Sequence, residues 1–188
     1  MALTRINTKI RGLVADISKS DFQAYTYTTS AVFRIAVPNA TATSILVNGA
    51  AITASDWSYN STTQDVTITS SLTAGDAVVI NFTYYKFSDT ELEGYIVAAL
   101  VYYSIYSFSS DEDYEVENSA IYPTPSNVQE DMIALIASIL IKPNWSLYRT
   151  PTLEVRYPAN IDKDEKIYML VTRSIWAIGD ITIIEFNQ

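Results

Sequence analysis

Ala77-Val78-Val79-Ile80-Asn81-Phe82-Thr83-Tyr84-Tyr85, then Lys86-Phe87, then Ser88-Asp89-Thr90-Glu91-Leu92 is where this chain changes from one kind of secondary structure to the other. The first run is β-branched and aromatic and reads as a long strand entered through the turn Ala74-Gly75-Asp76. Ser88 to Glu91 then makes a capping box whose carboxylates suit the positive end of the helix they open. In that helix Leu92, Ile96, Ala99, Leu100 and Tyr103 share a face, and Val97, Val101, Ile105 and Phe108 cover the others. A helix apolar all round is predicted to be surrounded by protein, which makes it the hub of the helical part. Its uncharged stretch, Gly94 to Phe108, falls short of the roughly 20 residues a bilayer crossing needs.

Upstream of the switch, a period of two runs from Tyr25 to Phe87. Phe33, Ile35 and Val37 alternate with Val32, Arg34 and Ala36, and Val66 and Ile68 alternate with polar partners over Asp65 to Thr69. Asn48-Gly49 between Ile45-Leu46-Val47 and Ala50-Ala51-Ile52 reads as a type I′ hairpin turn. Five or so short strands of this kind make a small sandwich or barrel. Before them Ile6, Ile10, Leu13, Val14 and Ile17 fall on one helical face, with Thr4 as N-cap and Arg5, Lys9 and Arg11 elsewhere on the helix.

Downstream, Ser109 to Pro125 holds Asp111, Glu112, Asp113, Glu115 and Glu117 and reads as an exposed connection. Ser126-Asn127-Val128-Gln129 is a second capping box ahead of Met132, Leu135, Ile136, Ile139 and Leu140, and Pro143 stops that helix. Leu153, Val155 and Tyr157 alternate as a short strand. Asp162 and Glu165 open a last helix with Ile167, Leu170, Val171, Ser174, Ile175 and Ile178 on one face and Gly179 as its C-terminal cap. Ile181 to Phe186 is a terminal strand that either completes the chain's own sheet or pairs with an edge in a neighbour. The fold class is therefore α+β: a helical bundle of about four helices with an inserted small all-β sandwich or barrel. The predicted divisions are 1–24, an N-terminal helix belonging to the helical part; 25–87, the β-domain; and 88–188, a helical domain with a C-terminal strand.

Composition limits the chemistry. The 188 residues are 48% apolar and 18% charged, as in folded globular proteins, with no Cys and no His. Disulfides, thiolate nucleophiles, Cys/His zinc sites and imidazole bases are excluded outright. A net charge of -9 argues against tracking a phosphate backbone. That charge is uneven: five Lys/Arg face two Asp/Glu in residues 1–55, one faces thirteen in 56–131, and six face six in 132–188. Such a distribution lets the basic start of one copy meet the acidic middle of another, or places solvated acidic loops on a monomer.

Met1 to Ser20 lacks the basic start and apolar block of a secretory leader. The Asn-x-Ser/Thr sequons at Asn39, Asn60, Asn81 and Asn144 read as chance in a chain rich in Ser and Thr. The acidic run at 111–115 lacks the mid-loop Gly and closing Glu of an EF-hand and reads as a solvated loop. Five isolated glycines make no phosphate-binding loop, and nothing singles out a catalytic pair among the 21 acids. The 14 tyrosines are plentiful, and Tyr95, Tyr102, Tyr103 and Tyr106 crowd one helix, where they suit core edges and interfaces equally.

Two stretches carry a resemblance. Ile45-Leu46-Val47-Asn48-Gly49, Asp56-Trp57-Ser58-Tyr59, Val66-Thr67-Ile68 and Leu72-Thr73-Ala74-Gly75-Asp76-Ala77-Val78-Val79-Ile80 together resemble the small β-domain of many tailed-phage virion proteins, tail fibres and connectors in particular. Ser88-Asp89, Glu91-Leu92 and Tyr95-Ile96 to Ala98-Ala99-Leu100 are similar to the opening helix of phage head–tail adaptor proteins, helical bundles that form rings below the portal. The resemblance implies a non-enzymatic virion protein of the neck, made in the host cytoplasm and assembled as a homo-oligomeric ring against portal protein and tail or other neck proteins. It implies no catalytic residue, cofactor, metal, specific nucleic acid or membrane. The interface candidates are Arg5, Lys9, Arg11, Tyr102, Tyr106, Asp111, Asp113, Ile181, Ile183 and Phe186. A tail or head-fibre component using the β-domain for attachment is the alternative, and a carboxylate glycoside hydrolase a remote one.

Overall fold

Ser88 caps its helix as the sequence requires: the Glu91 N–H donates to Ser88 Oγ at 3.0 Å, and the Ser88 N–H donates to Glu91 Oε2 at 2.6 Å. The Ser88 N–H, and the Ser88 hydroxyl donating to the same oxygen at 2.9 Å, hold the Glu91 carboxyl below its usual range, because they favour the charged form. The computed structural model describes residues 2–106, 114–117, 120–149, 153–173 and 182–185. In chain order, α1 (Ala2–Leu13) leads into β1 (Lys19–Thr26), β2 (Val32–Arg34), β3 (Ala40–Val47) and β4 (Ala50–Ala51). A 3-10 turn at Ala54–Asp56 precedes β5 (Trp57–Asn60), β6 (Asp65–Ile68) and β7 (Ala77–Tyr84). Then come α2 (Asp89–Tyr106), β8 (Glu115–Glu117), β9 (Ala120–Tyr122), α3 (Asn127–Ile141), β10 (Leu147–Arg149), β11 (Leu153–Arg156), α4 (Lys163–Arg173) and β12 (Thr182–Glu185). The chain is mixed α+β and divides into two units, one of residues 17–87 and one of residues 1–16 with 88–188.

In the β unit, strands run β1-β7-β3-β4 in one sheet and β2-β6-β5 in another, all antiparallel. One core joins Phe33 and Ile35, Ile45 of β3, Val66 and Ile68 of β6, and Val78, Ile80 and Phe82 of β7. Among the described residues the sheets do not close into a barrel, so the barrel alternative is set aside. Alternation on β7 explains the arrangement: Val78, Ile80 and Phe82 are buried and the residues between them are not. Asn48 (φ 50°) and Gly49 (φ 82°) take the two positive-φ positions of the β3–β4 turn. Asn48 also bridges to the next turn, its Nδ2 donating to Asp76 Oδ1 at 2.8 Å and its Oδ1 accepting from the Ala77 N–H at 2.9 Å.

Two expectations at the chain start are corrected. The helix begins at Ala2, so Thr4 lies inside its first turn and is not the cap. Ile17 does not extend the apolar face. Ala15 (φ 55°) ends the helix in a Schellman turn, with Asp16 N–H donating to Arg11 O at 2.8 Å and Ala15 N–H to Gly12 O at 3.3 Å. Ile17 lies beyond this turn and is 74% exposed, and β1 starts two residues later.

In the helical unit the hub is α3, not α2. Ile133, Ala134, Ile136, Ala137 and Ile139 are buried on several sides of α3, which packs against α1, α2 and α4. On α2 only Leu92, Ile96, Ala99, Leu100 and Tyr103 are buried, while Val97, Val101 and Ile105 are 47%, 55% and 67% exposed. Within 109–125, expected as a plain connection, β8 and β9 pair as a hairpin in the register Val116↔Ile121, and Ile121 is buried. The terminal strand β12 joins the chain's own sheet, parallel to β11, which pairs antiparallel with β10 on its other side. Expected features of α4 at Ser174, Ile175, Ile178 and Gly179 lie outside the described residues.

Both bonds of the Ser126–Gln129 capping box are present at the start of α3. Ser126→Ala is therefore expected to cost about 1 kcal/mol. In a protein of this size that lowers Tm by about 2–4 °C, read by thermal unfolding.

Candidate functional site

The basic start of the chain is matched inside the helical unit. Arg5 and Lys9, one turn apart on α1, both reach Glu130 in the first turn of α3. Arg5 Nε donates to Glu130 Oε1 at 3.0 Å and Oε2 at 3.2 Å, and Lys9 Nζ to Oε2 at 3.3 Å. Lys9 also pairs with Asp131 at 2.7 Å, and Arg11 with Asp16 and, at 2.9 Å, with Asp89 in the first turn of α2. Glu130 is fully buried. Burial alone pushes its carboxyl up, but the hydrogen bonds and charges of Arg5 and Lys9 outweigh that and hold it below the ordinary value. The charge imbalance between residues 1–55 and 56–131 thus serves in part to bind α1 to its own chain.

Tyr102 and Tyr106 bring α2 to α4. The Tyr102 hydroxyl donates to Asp164 Oδ1 at 2.8 Å and accepts from Lys163 Nζ at 3.1 Å, and the same ammonium lies 5.5 Å from the ring centroid. Tyr106 stacks at 6.2 Å on Tyr102 and meets Tyr168 edge-on at 5.7 Å. Asp164 is held below its usual range by the hydrogen bonds from Lys163 and Tyr102. Ile183 lies on β12 opposite Glu154 in the register. Asp111, Asp113, Ile181 and Phe186 lie outside the described residues.

Sequence reasoning missed an open apolar groove of about 340 Å³ beside α2, lined by Val97, Leu100, Val101, Ile105, Tyr114 and Val116, with Ser104 in its wall. The hairpin β8–β9 supplies one side through Val116, and Tyr114 packs edge-on against the buried Tyr103 at 6.0 Å. The signal was in the sequence as residues on the second face of α2, but it was read there as evidence of cover.

Buried titratable groups are committed to the fold. Lys166 Nζ donates to the carbonyls of Pro143 at 2.5 Å and Trp145 at 3.0 Å, fastening the segment after α3, and burial lowers its pKa. Tyr148 donates to Lys142 O at 2.5 Å, and burial raises its pKa. None of Glu130, Lys166 and Tyr148 lines the groove. Among the described residues no group of three or more carboxylates is placed to hold a metal ion, and no helix is long and apolar enough to cross a membrane. Neither a protein-family model nor a curated protein matches this chain.

Proposed function

We propose that this chain is a structural subunit of a tailed-phage particle, a ring-forming head–tail connector that links portal to tail and works by assembly. The architecture is taken as a helical bundle, α1 to α4, with a β-sandwich inserted between α1 and α2. The carrying observation is the exposed face of α2: Val97, Val101 and Ile105 line an open apolar groove. An apolar groove of this kind loses free energy to water until another surface covers it. The similarity of the β unit and of the α2 start to virion modules supplies the setting, and the half-exposed Tyr102–Tyr106–Tyr168 cluster adds aromatic surface suited to contacts between subunits.

Electron microscopy and mass photometry of the purified protein, alone and mixed with candidate portal protein, test this. Rings of fixed copy number are expected. A monodisperse monomer under every condition, binding no virion component, would sink the proposal, and a trimer that binds a host surface would favour a fibre part instead.

A further inference from the structure

Asn48-Gly49 is the one Asn-Gly pair in the chain, and Asn-Gly is the dipeptide in which an asparagine amide is most easily lost. The reaction is intramolecular. The Gly49 backbone nitrogen attacks Asn48 Cγ, the Cγ–Nδ2 bond breaks, and ammonia leaves a succinimide that water opens to aspartate or isoaspartate. Glycine favours this because no Cβ shields the attacking nitrogen. Asn48 and Gly49 are both exposed, and a Cβ at Gly49 would meet no atom within 4 Å, so the surroundings add no cover of their own. Asn39 and Asn160 also have positive φ, but Ala40 and Ile161 follow them.

What the fold does supply is a hold on the carboxamide. Asn48 Nδ2 donates to Asp76 Oδ1 at 2.8 Å, and Asn48 Oδ1 accepts from the Ala77 N–H at 2.9 Å. The Asn48 N–H donates to Ala77 O at 2.8 Å. Asp76 is fixed in turn, with Oδ2 accepting from the Thr73 N–H at 2.7 Å and its own N–H donating to Thr73 O at 2.9 Å. To bring Cγ onto the Gly49 nitrogen the side chain must swing away from Asp76 and Ala77. Both of its hydrogen bonds then break, and the Ala77 N–H loses its acceptor. The nitrogen that would leave is the one Asp76 holds.

We propose that Asn48 is a deamidation site gated by folding, closed while the β3–β4 turn is tied to Asp76 and Ala77 and open in any chain whose β unit has not formed. The product cannot remake the tie. Aspartate at position 48 has no donor for Asp76, so two carboxylates meet where a hydrogen bond stood. Isoaspartate lengthens the backbone of a two-residue loop that sets the Val47↔Ala50 register. The modification therefore marks a chain by the time it has spent unfolded and removes it from the folded pool, whatever the chain assembles with.

Wild-type protein held in mildly alkaline buffer, with and without guanidinium chloride, tests the gate, the peptide carrying Asn48 being followed by mass spectrometry. Conversion is expected to be about tenfold or more slower in the folded chain, because two hydrogen bonds must open before attack. Asp76→Ala, with circular dichroism unchanged, should narrow that gap and leave the rate in denaturant as it was. Freshly purified Asn48→Asp should have a lower urea midpoint than wild type. Adding Asp76→Asn to it should recover most of the loss, since the amide then donates from the other side of the same bond while its oxygen still accepts from Thr73. Equal rates in folded and denatured wild type, or a gap untouched by Asp76→Ala, would overturn the gate. A midpoint for Asn48→Asp equal to that of wild type, or no recovery in the double variant, would overturn the claim that the product is locked out.

Discussion

Replacing Arg5 and Lys9 together by methionine is expected to leave the Glu130 carboxylate buried with neither of its cations. An unpaired buried charge of this kind costs about 3–5 kcal/mol. Methionine keeps much of the apolar stem of each side chain, so the loss reports on charge more than on packing. The pH dependence should also change sign. In the native chain Glu130 titrates below its unfolded value of 4.5. Its contribution is therefore complete above that pH and lost as pH falls through the lower folded value. Without the two cations burial is unopposed and the folded value moves above the unfolded one. The penalty is then absent in acid and grows as pH rises through the carboxylate range. Urea unfolding from about pH 4 to pH 7 reads both effects, taking the unperturbed carboxylate range as reference. A double variant within about 1 kcal/mol of wild type at neutral pH, with a parallel pH curve, would show that Glu130 does not bind α1 to α3.

Phe82→Ala is expected to be comparably severe in the β unit. The ring is almost fully buried on β7, in the core shared with Phe33, Ile35 and Ile45, and lies 6.2 Å from Tyr84. Removing it takes away transfer free energy and leaves a cavity that two hydrogen-bonded sheets close only in part, at about 3–5 kcal/mol. Phe82→Leu retains most of the apolar volume and should cost less. Trp57 packs against this core and is the single tryptophan of residues 17–87, so its fluorescence follows the transition in a variant lacking Trp145 and Trp176. An unchanged denaturation midpoint would mean that β7 does not present Phe82 inward.

Features specified by neighbouring residues were legible in the sequence. The capping boxes at Ser88 and Ser126, the Asn48-Gly49 turn and the alternation on β7 each need only a few consecutive side chains to declare themselves. The end of α1 was not legible, because its Schellman turn uses Ala15 where glycine is the usual marker. The hairpin β8–β9 was hidden for a similar reason: strands of three residues in an acidic segment have too little periodicity to read. For the candidate surface the difficulty was tertiary. The apolar character of α2 on all sides is plain in the sequence, but which side α3 covers depends on how the helices meet. Arg5 and Lys9 were visible as surface charge, and nothing local connects them with Glu130.

The placement of residues 17–87 between α1 and the rest of its unit has a consequence for biosynthesis. Arg5 and its partner Glu130 are 125 residues apart in sequence. With a ribosome adding about 5–20 residues per second, α1 leaves the tunnel roughly 6 to 25 seconds before its acidic partner does. Residues 17–87 form a continuous stretch and can acquire their sheets during that interval. The first helix emerges first and docks late, and until α3 arrives its apolar stripe of Ile6, Ile10 and Leu13 is open to any chaperone nearby.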